Sequence, residues 1–490
     1  MRTEQASTGT AQRGPKLPAT RLQEETQDRP SALPLILRQM LPGLVLLMGA
    51  VRALQPVSDP DTFWHIAAGG YLWEHWAFSG PDPWSDMSTQ PWRLHEWLPQ
   101  LGMSALYDAA GLPAVAWLLP VGVVAILLSL WWWLRRSTSL LITALLMAVV
   151  FVGMSGSLSL RPHLVTFALT VVTSGAWLQT SLDGKSRWWL VPVTWVWACS
   201  HGMWFIGPII GVVVVVGMCL DRRLDLRACL RLVLVPIASV IAACLTPVGP
   251  GLLLSPFEVS EYTSYVQEWQ SPSIRDVGFA AFVALCGVLV LIWARRGRPV
   301  PWVRVLLVGS AVGLALLYAR TVPVGMAILA PVAALEIQKA TPLLREKVSR
   351  REVGLTLGAA LAGLTLAGAL VPSTSAKPGA GANDLDSQLS TLPAGTTVCN
   401  DYVLGGWLIW KHPNIRPAVD GRTEIYGLDY FKAYLKFQSG SPGWEEYVGR
   451  VGCSFALLAQ TDAPAAGLVH QQGWSVVRAG ERYVLLRAPN

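Results

Sequence analysis

The residues best suited to chemistry lie together in one polar segment, residues 56–97, of an otherwise apolar chain. Within it stand Asp59, Asp61, His65, Glu74, His75, Asp82, Asp86, His95 and Glu96, accompanied by Trp64, Trp73, Trp76, Trp84, Trp92 and Trp97. Carboxylates and imidazoles exchange protons with bound molecules, and indole rings offer flat binding surfaces. A plain connector between two helices needs only a few turn-forming residues. We therefore predict that this segment forms part of a site.

The rest of the chain has the composition of a polytopic membrane protein. Of its 490 residues, 52% are hydrophobic and 14% are charged, whereas soluble domains carry roughly 25% charged residues. Apolar stretches recur at about the ~20 residues that cross a bilayer, and we predict about eleven spans. They lie near 35–55, 112–134, 138–157, 163–181, 188–200, 204–220, 229–246, 278–294, 303–319, 322–338 and 354–371. Ser200-His201-Gly202 interrupts 188–220, which forms either one long helix or two short spans.

The basic charge of the chain follows membrane topology. The net charge is +7 and the isoelectric point about 9.1. With the N-terminus in the cytoplasm, most Lys and Arg residues fall on the cytoplasmic side, leaving Arg52, Arg93, Arg161, Arg275 and Arg320 on the other. This asymmetry is the positive-inside rule, so the charge requires no nucleic-acid partner. We expect a multi-pass membrane protein with a cytoplasmic N-terminus and an uncleaved signal anchor as its first span.

The predicted organisation has four parts. Residues 1–33 are a disordered cytoplasmic tail, 34–371 a transmembrane domain with a large first outer loop at 56–111, 372–391 a Pro/Gly/Ser/Ala-rich linker, and 392–490 a small extracytoplasmic α/β domain. In this last part TTVCND, GWLIWKH, RPAVDGR, FALLAQ and RYVLLRA are predicted strands, and LDYFKAYLKF is a predicted helix. Cys399 and Cys453 both lie outside the membrane, where disulfides persist, but their spacing does not decide whether they pair.

The topology brings further ionisable residues to the outer face, beside the polar segment. They are Arg161, His163, His201, Glu268 and Arg320. A charge within the hydrocarbon costs about 2.5–3.5 kcal/mol on insertion scales, so it is usually paired or functional. Taken singly, Arg161, His201 and Arg320 have the alternative of snorkelling to the interface or capping a helix. Their convergence beside an acidic loop favours an outward-facing active site.

Two short helices are predicted within the first outer loop. Residues 61–76 have apolar residues at helical spacing, which is typical of an amphipathic helix on the membrane surface, and a second helix is predicted over 96–109. Asp61 falls at the start of the first helix, so a role as a helix cap is the alternative to a chemical role. Asp82 lies in Gly80-Pro81-Asp82-Pro83, a turn sequence.

Several motifs resemble the GT-C superfamily of membrane glycosyltransferases, which includes oligosaccharyltransferase catalytic subunits and protein O-mannosyltransferases. The resemblance is greatest to a bacterial group of GT-C-like membrane proteins, through DPDTFWHIAAG (59–69), HEWL (95–98), RPH (161–163), EWQSP (268–272) and DGRTEIYG (420–427). Tyr71-Leu72-Trp73-Glu74-His75 is similar to a segment of the oligosaccharyltransferases, and the likeness covers most of 40–490. The chain has no WWDxG motif, the element that reads the Asn-x-Ser/Thr acceptor in that family, so peptide N-glycosylation is not expected.

The resemblance implies a hexosyl or pentosyl transferase that uses a polyprenyl-phosphate-linked sugar donor. Asp61 would be the general base on the acceptor, a glycan, lipid or protein, with Asp59 and His65 as further catalytic candidates. The departing lipid phosphate needs positive charge or hydrogen-bond donors. The candidates for that role are Arg161, His163, His201 and Arg320.

The remaining candidates would bind substrate. His95 and Glu96 would orient the acceptor or pair with an arginine, and the indoles of Trp64 and Trp92 would stack on sugar, although interfacial anchoring is the commoner use of Trp. Asp82, Glu268, Asp420 and Arg422 complete the set, with an ordinary Asp-Gly turn as the alternative for Asp420. A divalent Mg or Mn ion held by Asp59, Asp61 and Glu268 is a further option, since hard cations prefer carboxylates.

Two other functions stay open at this level. A transporter or flippase of a lipid-linked substrate would place ionisable groups near the bilayer midplane, whereas here they cluster at the outer ends of spans. A non-catalytic scaffold with a GT-C-like fold would tolerate the loss of Asp61, and an enzyme would not. Fold alone does not separate these functions.

Overall fold

The computed structural model describes residues 35–255, 261–265 and 269–489. In these residues the polar segment contains α2 (Pro60–His75), β1 (Ser79–Gly80) and β2 (Trp92–Arg93). The apolar region is helical: α1 (Leu35–Arg52), α3 (Trp97–Ala116), α4 (Leu118–Leu134), α5 (Leu140–Met154), α6 (His163–Asp183), α7 (Leu190–Ala198), α8 (Ile206–Leu220), α9 (Leu226–Cys244), α10 (Val277–Ala294), α11 (Trp302–Leu317), α12 (Val322–Ala340) and α13 (Arg350–Ser375).

The described helices make the chain a multi-pass membrane protein. Seven of them, some extended by a 3-10 turn, are long and apolar enough to cross a bilayer, and α3 with α4, bent by 65°, form an eighth candidate span. The total of about eleven spans stays a prediction. The predicted tail at 1–33 lies outside the described residues.

Two breaks in the helices fall where the sequence signals them. α7 ends at Ala198, and His201 has extended backbone before the chain turns into α8. The predicted interruption at Ser200-His201-Gly202 is therefore present. In α3 the helical geometry fails at Ala110 and Gly111, where Gly111 has φ 69°, so the predicted surface helix 96–109 ends there and the apolar span follows.

α2 is the predicted loop helix, and its start is defined by Asp59 rather than Asp61. The Asp59 carboxylate accepts a hydrogen bond from the Asp61 backbone N–H at 3.0 Å, and Pro60 occupies the first helical position. Both are preferred N-terminal signals. The capping role considered for Asp61 is therefore wrong, because Asp61 lies inside the first turn. The apolar face of α2 packs on α3, where a side chain at Gly69 would overlap the Gln100 carbonyl.

The C-terminal unit is a mixed five-stranded sheet with short helices. The strands are β3 (Thr396–Asn400), β4 (Ile415–Pro417), β5 (Phe455–Ala459), β6 (Ser475–Ala479) and β7 (Tyr483–Arg487), in the order β4-β3-β5-β7-β6. β4, β3 and β5 run parallel to one another, and β7 is antiparallel to both of its neighbours, β5 and β6. The helices are α14 (Asp386–Ser390), α15 (Gly405–Lys411), α16 (Leu428–Ser439), α17 (Glu445–Val451) and α18 (Ala463–Gln472).

One predicted strand is wrong. GWLIWKH forms the helix α15, in which Trp407, Leu408 and Ile409 are all buried. A short apolar run does not distinguish a strand from a helix buried on several sides. α15 is enclosed in this way because it packs against both α2 and β4. The other predicted strands overlap observed ones, although in RPAVDGR only the first two residues are extended, and β6 was not predicted.

The polar segment is attached directly to the C-terminal unit. The backbone N–H groups of Thr89 and Gln90 donate to the Ile425 carbonyl at 2.8 and 3.0 Å, and the Ser85 hydroxyl donates to the Pro417 carbonyl at 2.8 Å. The pairing left open from the sequence is also decided, since Cys399 and Cys453 form a disulfide. The first outer loop and the C-terminal unit are thus joined by hydrogen bonds and by a shared buried apolar cluster.

Candidate active site

The start of α2 brings two carboxylates to one guanidinium. Arg161 Nε donates to Asp59 Oδ2 at 2.6 Å, and Arg161 Nη1 lies 2.9 Å from Asp61 Oδ2. The turn that carries Arg161 is fixed to α2, because the Thr62 hydroxyl donates to the Leu160 carbonyl at 2.7 Å. The three side chains keep some contact with solvent, at 16% exposure for Arg161, 11% for Asp59 and 20% for Asp61. They form a charged cluster that is accessible to a ligand.

A second cluster surrounds Glu96, just ahead of α3. The Nε2 atoms of His65, His95 and His201 lie 3.6, 3.7 and 3.6 Å from its carboxylate oxygens. These distances exceed a direct hydrogen bond but leave little room between the groups. Burial raises the pKa of Glu96 to about 7, against the lowering influence of Arg320. Burial also lowers the pKa of His65 well below its usual value, so that imidazole is neutral near pH 7.

The other ring nitrogens of two of these histidines are fixed by neighbours. The Gln100 side chain approaches His65 Nδ1 at 3.0 Å, and His201 Nδ1 accepts from the Met203 N–H at 3.3 Å. Thr166 also contacts His201 Nδ1, at 2.9 Å, and itself accepts from the Trp197 indole. With His201 Nδ1 accepting, its proton lies on Nε2 and points at Glu96. The cluster is thus held by hydrogen bonds from α3, α6 and α7.

Both clusters open into one cavity of about 490 Å³. Its lining includes Asp61, His65, His95, Glu96, Arg161, His201 and Arg320 from the membrane part, and Tyr402, Arg422 and Glu424 from the C-terminal unit. Arg320 lies over the Trp269 ring at 5.4 Å. Trp64 also lines this cavity, and its indole N–H is buried without a hydrogen-bond partner among the described residues. The cavity therefore combines carboxylates, imidazoles and three guanidinium groups.

Arg422 belongs to a separate, fully buried cluster. It donates to Asp82 at 2.7 and 3.2 Å and to Asp420 at 2.9 and 2.6 Å, and its guanidinium lies 4.8 Å from the Trp84 ring centre. The Tyr426 hydroxyl donates to Asp420 at 2.5 Å. Burial alone would raise the pKa of Asp420, but Arg422 and Tyr426 hold that pKa below its ordinary value. Asp420 also accepts from the Arg422 N–H at 2.9 Å, as in the Asp-Gly turn considered from the sequence.

Glycine at position 421 joins this cluster to the first. A side chain there would overlap Asp61 Oδ1, and Trp64 Nε1 lies 3.5 Å from the position of the missing Cβ. The DGR turn therefore comes against Asp61 only because its middle residue has no side chain. The motifs at 59–69 and 420–427, far apart in sequence, form adjacent walls of one cavity.

Some candidates lie elsewhere. His163 Nε2 donates to the Ser157 carbonyl at 2.7 Å, and its side chain lies behind the cavity wall. Trp92 is only 2% exposed, because it packs edge-on against Tyr71 and near Trp84. With no face open to a ligand, Trp92 does not fit the stacking role expected of it. Glu268 lies outside the described residues.

Other lining residues were not singled out from the sequence. Tyr402, Tyr434 and Trp269 line the cavity, and Gln100 contacts His65 from one turn beyond Glu96. For Gln100 the spacing of four residues from Glu96 on a predicted helix was an available signal. The tyrosines carried no such signal, since they reach the cavity through the packing of the C-terminal unit.

The described residues do not fit the divalent-ion site considered from the sequence. The Arg161 guanidinium lies on both carboxylates, where such an ion would have to sit. Within the described ranges no group of three His, Cys, Asp or Glu side chains has the geometry of a metal site. We therefore derive no step through a metal.

Comparison with solved structures identifies the fold. The apo oligosaccharyltransferase of Archaeoglobus fulgidus superposes with a TM-score of 0.54 at 12% identity, covering 85% of this chain and 69% of that one. The chain has the GT-C fold. The archaeal oligosaccharyltransferase AglB from A. fulgidus in complex with an inhibitory peptide and a dolichol-phosphate gives 0.51 with the same identity and coverage. ArnT from Cupriavidus metallidurans bound to undecaprenyl phosphate gives 0.49 at 12% identity, covering 93% of this chain and 99% of that one.

The similarity concerns the overall architecture, over 85% of this chain. No protein-family model and no curated protein sequence matches the chain. The GT-C-like fold expected from short motifs such as DPDTFWHIAAG is thus confirmed by three-dimensional structure. The sequence identity of 12% leaves the activity to be argued from the site.

Proposed function

We propose that this GT-C protein is a membrane glycosyltransferase that moves a sugar from a polyprenyl-phosphate donor to an acceptor hydroxyl. The observation that carries the proposal is the Asp61–Arg161 ion pair at the wall of the 490 Å³ cavity, with Arg320 lining the same cavity. A sugar phosphate ester needs a base on the acceptor and positive charge on the leaving phosphate, and both are present there. The dolichol-phosphate bound in the AglB structure supports a lipid phosphate as the leaving group.

The proposed reaction uses Asp61 and the two arginines Arg161 and Arg320. Asp61 takes the proton of the acceptor hydroxyl, whose oxygen attacks the anomeric carbon of the sugar. The new glycosidic bond forms as the bond between that carbon and the phosphate oxygen breaks. Arg161 and Arg320 stabilise the charge on the departing polyprenyl phosphate, since charge-assisted hydrogen bonds to phosphate are strong. Arg161 thus serves both to orient Asp61 and to receive the product.

Other cavity residues take supporting roles in the proposal. The Trp64 ring, which lines the cavity beside His65 at 3.8 Å between ring centres, provides an apolar surface for the sugar. Glu96, whose pKa is raised by burial to about 7, accepts the proton that Asp61 must release to act again. We further propose the orientation expected from the positive-inside rule, with the N-terminus cytoplasmic and the cavity on the extracytoplasmic face of a bacterial plasma membrane.

The proposal is tested in a deletion strain complemented with wild type, Asp61→Asn or Glu74→Gln. Glycans of the cell envelope and polyprenyl-phosphate sugars are profiled by mass spectrometry, and protein levels are measured in parallel. We expect the deletion to remove a glycan and accumulate its lipid-linked donor. Asp61→Asn should reproduce both changes at normal protein level, because it retains shape but removes the base. Glu74, with 77% of its side chain exposed, is the control and should be silent.

The two alternatives give different profiles. For a flippase, the donor would accumulate on the cytoplasmic face and Asp61→Asn would restore normal export. For a scaffold, Asp61→Asn would restore everything that the deletion lost. Either result would reject the transferase.

A further inference from the structure

A second large cavity lies at the other end of the bundle from the candidate active site. It has a volume of about 590 Å³ and is formed between the last turns of α10 and α12. α12 begins beside Arg320 and ends at Ala340, so its 19 residues separate the two cavities by about 28 Å. That is close to the thickness of a bilayer's hydrocarbon core, roughly 30 Å. The second cavity therefore lies at the opposite membrane interface.

The base of this cavity is formed by Glu336, whose negative charge is neutralised by two arginines. Glu336 is fully buried, accepts from Arg304 at 2.6 Å and from the Trp293 indole at 3.0 Å, and also pairs with Arg296. Two guanidinium groups on one carboxylate leave this group of charges net positive. Because Glu336 is already paired with Arg296 and Arg304, it does not also neutralise the other basic residues that line the cavity.

Two more cations stand at the mouth of the cavity. Arg295 and Lys339 line it, are exposed, and form no ion pair with any acid among the described residues. The contrast with Arg135, a basic residue at the end of α4, is informative. Arg135 is 2% exposed and its guanidinium is bound by Glu352 at 2.6 and 3.0 Å. Basic residues that only set the membrane orientation need not line a cavity. Arg295 and Lys339 both line the same cavity, which indicates a further role.

The walls toward the lipid are apolar. Val288 and Leu291, on the face of α10 above the basic mouth, are 43% and 57% exposed. On a membrane-spanning helix such side chains meet acyl chains. A ligand that satisfies both features carries an anionic head and an apolar tail at the depth of the interface.

We propose that this cavity binds an anionic phospholipid, whose phosphate headgroup contacts Arg295 and Lys339 and whose acyl chain lies along Val288 and Leu291. Juxtamembrane basic residues attract anionic lipids electrostatically. The cavity adds shape to that attraction. The site is separate from the active-site cavity and does not depend on the function proposed above.

The test uses the purified full-length protein and native mass spectrometry with phosphatidylglycerol or phosphatidylcholine of matched chains. We expect wild type to retain phosphatidylglycerol preferentially. The double variant Arg295→Gln/Lys339→Gln should reduce that retention on the order of tenfold, from the loss of two basic contacts. Arg298→Gln, a neighbouring basic residue outside the cavity lining, is the matched control and should behave as wild type, as should Asp61→Asn.

Three outcomes would overturn the proposal. They are equal retention of the two lipids, an unchanged double variant, and displacement of phosphatidylglycerol by equimolar inorganic phosphate, which would indicate a site for small anions. If the double variant does not fold, Lys339→Gln is compared with Lys339→Arg. The arginine variant should then retain the lipid and the glutamine variant should lose it, whereas equal retention would again reject the site.

Discussion

The molecule contains two clusters of the same composition, one arginine with two aspartates, in two different environments. Arg161 with Asp59 and Asp61 is partly exposed at the cavity, at 11–20% for each side chain. Arg422 with Asp82 and Asp420 is buried, at 4%, 0% and 0%. In the buried cluster four nitrogen–oxygen contacts and a tyrosine hydroxyl engage the charged groups.

This difference in burial distinguishes a cluster that a ligand can reach from a cluster that stabilises the fold. Breaking a buried ion pair strands a charge and costs about 3–5 kcal/mol, so the Arg422 cluster stabilises the junction between the first outer loop and the C-terminal unit. The Arg161 cluster keeps some contact with solvent, which can hydrate a charge left without its partner, and it is open to a ligand. Identical residue types thus acquire different roles from burial alone. Arg422, expected from the sequence to bind the acceptor, has its donors occupied by carboxylates, and its role in acceptor binding stays a prediction.

The largest expected effect lies within the Arg161 cluster. Asp61→Asn should lower glycan transfer by roughly 10²- to 10⁴-fold, the usual contribution of a general base. Asp59→Asn should lower it far less, since asparagine also caps helices and keeps one acceptor for Arg161. The measurement is the ratio of product glycan to lipid-linked donor in complemented cells. Equal losses in the two variants would show that the cluster acts only as a unit.

The next effect concerns stability in the buried cluster. Arg422→Met should destabilise the protein by about 3–5 kcal/mol, because it leaves Asp82 and Asp420 without their cation. Arg161→Met should destabilise it much less, although it should abolish transfer. Thermal unfolding of both purified variants in the same detergent measures the difference. Similar melting temperatures for the two variants would contradict the distinction by burial.

A third effect is the pH dependence that Glu96 confers. The folded-state pKa of about 7 exceeds the ordinary value, so the folded state binds the proton more tightly than the unfolded state. The contribution of Glu96 to stability should therefore fall as pH rises from about 4.5 to 7, by about 3 kcal/mol. Glu96→Gln should unfold at a higher temperature than wild type at pH 8, with the difference vanishing near pH 4.5. A pH-independent difference would mean that Glu96 does not titrate in this range.

The smallest effect is expected at the rim of the same junction. Arg416 pairs with Asp86 at 3.3 Å, but the two side chains are 36% and 53% exposed. Exposed pairs contribute about 0–1 kcal/mol, so Arg416→Gln should barely change the melting temperature. A loss as large as that of Arg422→Met would show that junction position, rather than burial, sets the stability.

The sequence predicted a multi-pass helical protein and several residues that line the cavity, but not how those residues are arranged. Topology alone placed Asp61, Arg161 and Arg320 on one face, and the cavity brings these three together. It did not separate Arg161 from Arg422, because burial of the second depends on how the first outer loop packs against the C-terminal unit. GWLIWKH was misassigned for a related reason, since its apolar run is enclosed on several sides by tertiary packing.

The Glu96 cluster shows the same limit at the level of single atoms. Its histidines come from α2, from the residue before Glu96 and from the break after α7. No spacing in the chain predicts their convergence. Likewise only the observed backbone distinguishes Asp59 as the helix cap from Asp61 two residues later.

Because Gly421 lies directly against Asp61, the residue at position 421 is a sequence marker for the geometry of this cavity wall. Any larger residue at 421 would either push the Asp61 carboxylate away from the wall or lift the DGR turn from the cavity. In newly sequenced chains of this type, we expect an alanine or serine at that position to accompany a displaced Asp61 carboxylate. Such a chain would be recognised from its gene sequence alone.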